Sequence, residues 1–454
     1  MSFQKDTEYN DILKMLHEHD LQTQKTLSQN GIISSRRPQP VHVLYGGAQR
    51  FTNQTLKKLE RLCLSSFESF AVDPLKLKSI LGESWSPEFA EQVFESVKSK
   101  LKKNPIEDFR IDFEDGYGEH SDNEEDSHAV SAAGATHEIL MSREYSGKFG
   151  IRIKSLAAEN RLRSLKTLFC YFQNLFKASD IQSFSIDEFV VTLPKVTHEI
   201  EISALVSALE MLELNLKLPK NFFRIEILIE SPQALLSIDG QNNLPKLVAA
   251  SKGRCLGLHL GVYDLNSSLG LGSAGQDISN FTCDFYRTWM LTTAALFPGV
   301  TVVDGVINEL PVPLKLNEKS SSSDRQRFDI DNEIHLIKLW RLNYRKMLRS
   351  LSSGFFQSWD LHPTQVVLRH IANHAFLHGE IPGAILRLKN FEKNSSAAAL
   401  SGATFDDLAS YRGVFSLMSR ALNSQVITIP ELLKEGLDFE ACEQKFATLT
   451  KGKM

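Results

Sequence analysis

The fold is decided by one stretch, EFVVTLPKVTHEIEISALVSALEMLELNLKLPKNFFRIEILIE (residues 188–230). EFVVTL (188–193) is a short β-branched run of the length of a buried strand. EIEISALVSALEMLELNL (199–216) has the apolar spacing of an amphipathic helix, and FFRIEILI (222–229) is a second apolar run. Strand, helix, strand in that order is the crossover unit that pairs its strands in parallel. The same alternation extends both ways. Upstream lie VHVLY (41–45), FRIDF (109–113) and GIRIK (150–154); downstream lie CLGLHL (255–260), VTVV (300–303) and FFQSWDL (355–361). NRLRSLKTLFCYFQNLF (160–176) and DFYRTWMLTTAALF (284–297) read as further helices, and Ser121 with Glu124 forms a capping box that opens one after the second strand. Eight such strands predict an α/β fold of the closed (β/α)8 TIM-barrel kind. An open doubly wound sheet is the competing architecture, and periodicity alone does not separate the two.

The chain has 454 residues, 42% hydrophobic and 23% charged, which supports a large core and excludes wholesale disorder. Lys+Arg 51 against Asp+Glu 55 leaves a net charge of −4, an argument against nucleic acid or an anionic membrane as partner. The five cysteines are scattered, with no C-x-x-C pair, as expected of a reducing compartment without a zinc or disulfide framework. MSFQKDTEYNDILKMLHEHD at the start has no apolar core segment, and the expected location is cytoplasmic. Residues 1–40 read as a polar N-terminal extension ending in SSRRPQP, 41–380 as the barrel, and 381–454 as a C-terminal helical appendage. Within the appendage a loop, KNSSAAALSGAT (393–404), leads to a helix with Thr404 as its cap and Asp406 and Asp407 in its first turn. That segment is expected to serve either as packing or as a lid over the active site.

Chemistry gathers at the strand ends. FRIDF runs into Glu114 and Asp115, GIRIK carries Arg152, FVVTLP is followed by Lys195, and EILI ends in Glu230. CLGLHLG leads to Asp264, VTVV to Asp304, and SWDL to His362. In a TIM barrel all these ends open on one face, where catalytic groups of the fold are found. A single charge after a strand is commonly a helix cap or a solvated loop residue; the repetition is what argues for a site. Glu230 and Asp264 follow consecutive strands, so both can converge on one ion. Two carboxylates completed by water and substrate oxygens suit Mg2+, with Mn2+ as the alternative. Three other patterns have bland readings. Gly270 to Gly275 fits G-x-G-x-x-G but lies too far beyond its strand for a dinucleotide turn and reads as a rim loop. His370, His374 and His378 read as a partly exposed helical stripe. Tyr45-Gly46-Gly47-Ala48 reads as an ordinary turn.

Taken in order, these motifs resemble a known family. FRIDFEDGYGEHSD resembles the L-D-L-E-D-A-V segment of citrate lyase beta-subunit-like proteins, IRIKS their R-V-N strand, and VVTLPKVTHEIEI their P-K-V segment. ILIESPQALLSID is similar to I-E-S/T-x-x-A-L, LHLGVYDLNSSLG to G-x-x-D-L-x-x-x-L-G, and SWDLHPTQV to I-H-P-x-Q. The resemblance covers roughly residues 41–370 and points to the citrate lyase beta and malyl-CoA lyase-like aldolases of the phosphoenolpyruvate/pyruvate-binding TIM barrels. It implies Glu230 and Asp264 as Mg2+ ligands and Arg152 as the holder of a substrate carboxylate. Glu114 and Asp115 would line the catalytic site, with Lys195 and His362 joining the substrate contacts. The implied activity is a carbon–carbon lyase or aldolase acting on a small 2-oxo or hydroxy acid, with a coenzyme A ester as one form of substrate, in a homo-oligomer. A phosphoenolpyruvate-utilising phosphotransfer enzyme and a non-catalytic barrel are the competing functions. The sequence departs from the family pattern at Gly116, where Ala is usual, at Lys154-Ser155 in place of Asn, and in the long spacer 308–354.

Overall fold

The computed structural model describes residue 14 and residues 38–177, 184, 186, 188–314, 322–394, 399–401, 404–406 and 408–450. The N-terminal extension, apart from residues 14 and 38–40, and Asp407 lie outside the described residues. Eight strands close a barrel in sequence order: β1 (His42–Gly47), β2 (Asp108–Asp112), β3 (Lys148–Arg152), β4 (Phe189–Leu193), β5 (Phe223–Ile229), β6 (Cys255–Leu260), β7 (Thr301–Asp304) and β8 (Gln357–Asp360). The neighbouring pairs are parallel, with Val191 opposite Ile225 across β4 and β5 and Val43 opposite Trp359 across β1 and β8. The closed ring removes the doubly wound alternative. Each predicted strand forms within two or three residues of its expected limits. The helix Glu199–Leu216 matches its predicted span, and Ser121 and Glu124 make the reciprocal cap that opens Asp122–Ser142.

By density of contacts the described chain divides into two compact units. The first comprises residues 45–53 and 109–306, and thus β2 to β7 with their crossover helices. Its core is aromatic: Phe172 lies 4.4 Å from Phe223 and 5.1 Å from Phe189 between ring centroids, and Phe51 stacks on Phe109 at 5.6 Å. Buried Arg–carboxylate forks are set into this unit. Arg110 grips Glu226 at 2.6 and 3.1 Å, and Arg254 grips Glu213 at 2.6 and 2.8 Å. Pairing of this kind is what lets charge sit in a core without the full desolvation penalty.

The second unit comprises residues 38–44, 54–108 and 307–454. It holds the helices Thr55–Phe70, Pro74–Leu81 and Pro87–Lys103, the long helix Ser322–Ser352 in the 308–354 spacer, and the helix Pro363–Asn394, which runs unbroken through residue 380. Leu377, Ile385, Leu388 and Phe391 of that helix share a buried cluster with Phe415, Met418 and Phe446 of the C-terminal helices. Two expectations change here. Thr404–Asp406 is a strand paired antiparallel with Ala399–Ser401, and the helix opens only at Leu408, because Thr404 and Phe405 favour extended backbone when a partner strand is at hand. His370, His374 and His378 are buried, not partly exposed, since helix Pro87–Lys103 and its neighbours cover that face.

Candidate functional site

FRIDFED alternates along β2. Phe109, Ile111 and Phe113 face one way, while Arg110 and Asp112 face the other, as the two-residue period of a strand requires. Asp112 is the organiser. Its carboxylate accepts the Arg152 guanidinium at 2.7 Å on Nε and 2.5 Å on Nη2, and also the backbone N–H groups of Glu114 at 3.0 Å and Gly116 at 2.8 Å. The chain can turn this tightly because residue 116 is glycine: a Cβ there would meet Asp112 Oδ2 at 2.5 Å. The departure from the family pattern at Gly116 thus has a local cause.

With two edges of its fork fixed, Arg152 turns Nη1 toward Glu114 at 3.0 Å and Asp115 at 3.7 Å, and its guanidinium lies 5.1 Å from the Tyr45 ring centroid. Lys195 joins from the end of β4, its ammonium on Glu114 and, at 2.9 Å, on Asp115. Lys195 adopts φ of +52°, a left-handed conformation uncommon outside glycine and often found at functional sites. That conformation aims its backbone N–H at Glu230 Oε1, 2.6 Å away.

Glu230, at the end of β5, is buried against the backbone of Gly261, where a Cβ would meet its side chain at 2.4 Å. Burial pushes its pKa up to about 8, and repulsion from Asp264 adds to the shift. Asp264, in the first turn of the helix Val262–Ser268, is raised by burial as well, with Lys195 opposing. Burial also raises Glu114, against the pull of Arg152. Asp115 is held below the usual carboxylate range: burial opposes this, but its bonds to Glu114 and Lys195 prevail. Glu114, Asp115, Arg152, Lys195, Glu230 and Asp264 therefore form one electrostatic cluster at the ends of β2 to β6.

Other strand-end residues do different work. Asp304 is bound by Arg287 at 2.9 and 3.0 Å and accepts the Gly305 N–H, so it ties the helix Phe281–Leu296 to β7. His362 lies in the second unit, where its Nδ1 accepts the Thr364 N–H at 3.2 Å at the start of the helix Pro363–Asn394. Gly46 and Gly47 allow close packing, on Phe109 and on the Gly116 carbonyl respectively. In the 270–275 loop, Gly275 is pinned by Asn266 and Asn280, and the next helix begins only at Phe281. Asp112 is not among the candidate residues of the sequence reading, although it shares the strand face of Arg110 and precedes Glu114 by two residues. Tyr45 enters that reading only within a Gly-Gly turn, and Gly261 only as the first glycine of the G-x-x-D-L segment.

The family model described as "Domain of unknown function (DUF6986)" matches residues 20–448. The chain belongs to that family. No curated protein matches it in sequence. Among solved structures, a citrate lyase from Burkholderia xenovorans is similar with a TM-score of 0.54 at 17% identity, over 88% of this chain and 96% of that one. CitE from Mycobacterium tuberculosis, in complex with magnesium, acetoacetate and coenzyme A, gives 0.48 at 15% identity, over 84% and 97%. A Haloferax volcanii malate synthase gives 0.45 at 14%, over 91% and 99%. The DUF6986 chain therefore has the barrel fold of the citrate lyase-type proteins that its strand-end motifs resemble. Among the described residues no helix is long and apolar enough to cross a membrane.

Proposed function

We propose that this protein is a Mg2+-dependent carbon–carbon lyase or aldolase acting on a small 2-oxo or hydroxy acid. The observation that carries the proposal is the Glu230–Asp264 pair, in which burial, and after it the charge of Asp264, raises the pKa of Glu230. A divalent cation would offset that charge. Among the described residues no group of three or more His, Cys, Asp or Glu is placed to hold a metal. The pair therefore suits an ion that fills its remaining positions with water and substrate oxygens, as Mg2+ does and Mn2+ can.

Glu230 and Asp264 would hold the ion, which when bound supplies positive charge to an enolate forming beside the substrate carbonyl. Arg152 would bind the substrate carboxylate through Nη1 while Asp112 keeps the guanidinium plane fixed. Glu114 and Asp115 would then yield Nη1 and remain on Lys195. Glu114 and Asp115, which share the Lys195 ammonium, would pass a proton to or from the substrate. The shared fold with a citrate lyase and the six ordered motifs support the reading. A coenzyme A ester of the acid, a homo-oligomeric assembly and the contact from His362 belong to the same proposal.

The test is a calorimetric titration with Mg2+ or Mn2+, followed by a panel of 2-oxo acids, their aldol products and acyl-CoA esters. Glu230→Gln and Asp264→Asn should each abolish cation binding. Arg152→Lys keeps the charge but loses the planar fork, and should weaken carboxylate binding at least tenfold. Unchanged affinities in these variants would remove the proposal.

A further inference from the structure

The second unit contains a half-open cavity of about 1260 Å3 lined by the helix Pro87–Lys103, the helix Pro363–Asn394 and the segment from Ser424 into the helix Ile429–Lys434. The cavity lining mixes apolar residues, among them Ile381, Ile385 and Ile427, with lysines, and Lys389 follows Ile381 and Ile385 at four-residue spacing along the helix Pro363–Asn394.

The charge balance inside is uneven. Lys103, Lys389 and Lys434 make no ion pair among the described residues. Lys100 is engaged by Glu107 at 2.5 Å, and Glu431 turns back to cap Thr428 at 2.7 and 2.8 Å. The lining thus carries four lysines against two carboxylates, Glu431 and Glu435. At the same cavity sits His374, 1% exposed, with Nδ1 2.7 Å from the Ser96 hydroxyl. Its Nε2, and that of His378 one turn on, have no hydrogen-bond partner among the described residues. When Ser96 donates to Nδ1, the imidazole proton resides on Nε2, a buried donor at the cavity wall. A buried donor without a partner is costly, and a ligand acceptor would satisfy it.

A metal is the other ligand an i, i+4 histidine pair could take. Three lysines around the cavity repel a cation, and no third ligand stands by among the described residues. We propose that this cavity binds a phosphorylated organic anion of nucleotide size, with its phosphate oxygens on Lys103, Lys389 and Lys434 and its body against Ile381, Ile385 and Ile427. Separate lysines, unlike an arginine fork, suit the dispersed charge of a phosphate better than the flat edge of one carboxylate. The volume is ample for such a ligand.

The experiment uses the full chain in EDTA, which keeps divalent cations out of the strand-end site. ADP is titrated calorimetrically, with pyrophosphate as competitor and decanoate as the carboxylate control, and the histidine ring nitrogens are followed by 15N NMR. The expected result is ADP binding with a Kd below ~1 mM, displaced by pyrophosphate, and a shift of the His374 Nε2 signal. The Lys103→Ala/Lys389→Ala variant, in which Lys103 is exposed and Lys389 half-buried, should melt within a few degrees of the unaltered chain and bind at least tenfold more weakly. Glu230→Gln should bind as the unaltered chain does. Absence of ADP binding, binding indifferent to the lysines or to pyrophosphate, decanoate bound in preference, or loss of binding in Glu230→Gln would each overturn the proposal.

Discussion

Gly116 and Glu230 show how far single positions set this site. Gly116 leaves room for the Asp112 carboxylate that fixes Arg152, so Gly116→Ala drives a methyl group to 2.5 Å from Asp112 Oδ2. Overpacking of that kind costs about 1–3 kcal/mol, to be read from chemical denaturation, and should loosen Arg152 enough to weaken carboxylate binding. Glu230 supplies a pH signature. Its folded-state pKa of about 8 stands above the ordinary 4.5. The stability it contributes is therefore full below pH 4.5 and is lost as pH rises through 8. In EDTA, the unfolding free energy should fall by several kcal/mol over that window. Glu230→Gln, which cannot ionise, should flatten this part of the profile; an equal slope in both proteins would show that Glu230 does not titrate there.

At the scale of the strand and its following helix, acids that look alike in sequence divide by partner. Asp304 and Glu230 both end apolar runs, yet Asp304 receives two hydrogen bonds from Arg287, whereas Glu230 is buried within the field of a second carboxylate, Asp264. The guanidinium neutralises Asp304, while burial and the charge of Asp264 leave Glu230 the acid proposed to hold a cation. Asp304→Ala takes from the buried Arg287 the carboxylate that receives two of its hydrogen bonds and should destabilise the fold by ~3–5 kcal/mol, with Mg2+ affinity retained in the folded protein. Denaturation and calorimetry on the same sample distinguish this from a loss of ligand binding. The strand pattern was legible because apolar runs bounded by helical segments persist whatever the tertiary context. The pairing of Glu230 with Asp264 was legible from consecutive strands, but the capture of Asp304 by Arg287 was not, because it depends on how the helix Phe281–Leu296 packs on β7.

For the whole molecule, the C-terminal helices complete a core. Leu377, Ile385, Leu388 and Phe391 lie against Phe415, Met418 and Phe446, so cutting the chain after residue 392 strips one side of that cluster. Each large buried side chain so exposed represents about 1.5–3 kcal/mol. The truncated chain should melt at a lower temperature or aggregate, as thermal unfolding and light scattering would register. A truncation that keeps its stability and Mg2+ binding but loses turnover would instead assign the segment to active-site closure.

The eight strands, their parallel order and the acids and bases at their ends, Glu114, Asp115, Arg152, Lys195, Glu230 and Asp264 among them, follow from local periodicity and from the rule that short crossovers join neighbours. Packing settles the rest: that the ring closes, that Asp112 holds Arg152, that Asp304 is taken by Arg287, and that the histidine stripe is buried. Those outcomes depend on distances across the barrel and between helices, where a few ångströms decide whether two charges attract, repel or never meet.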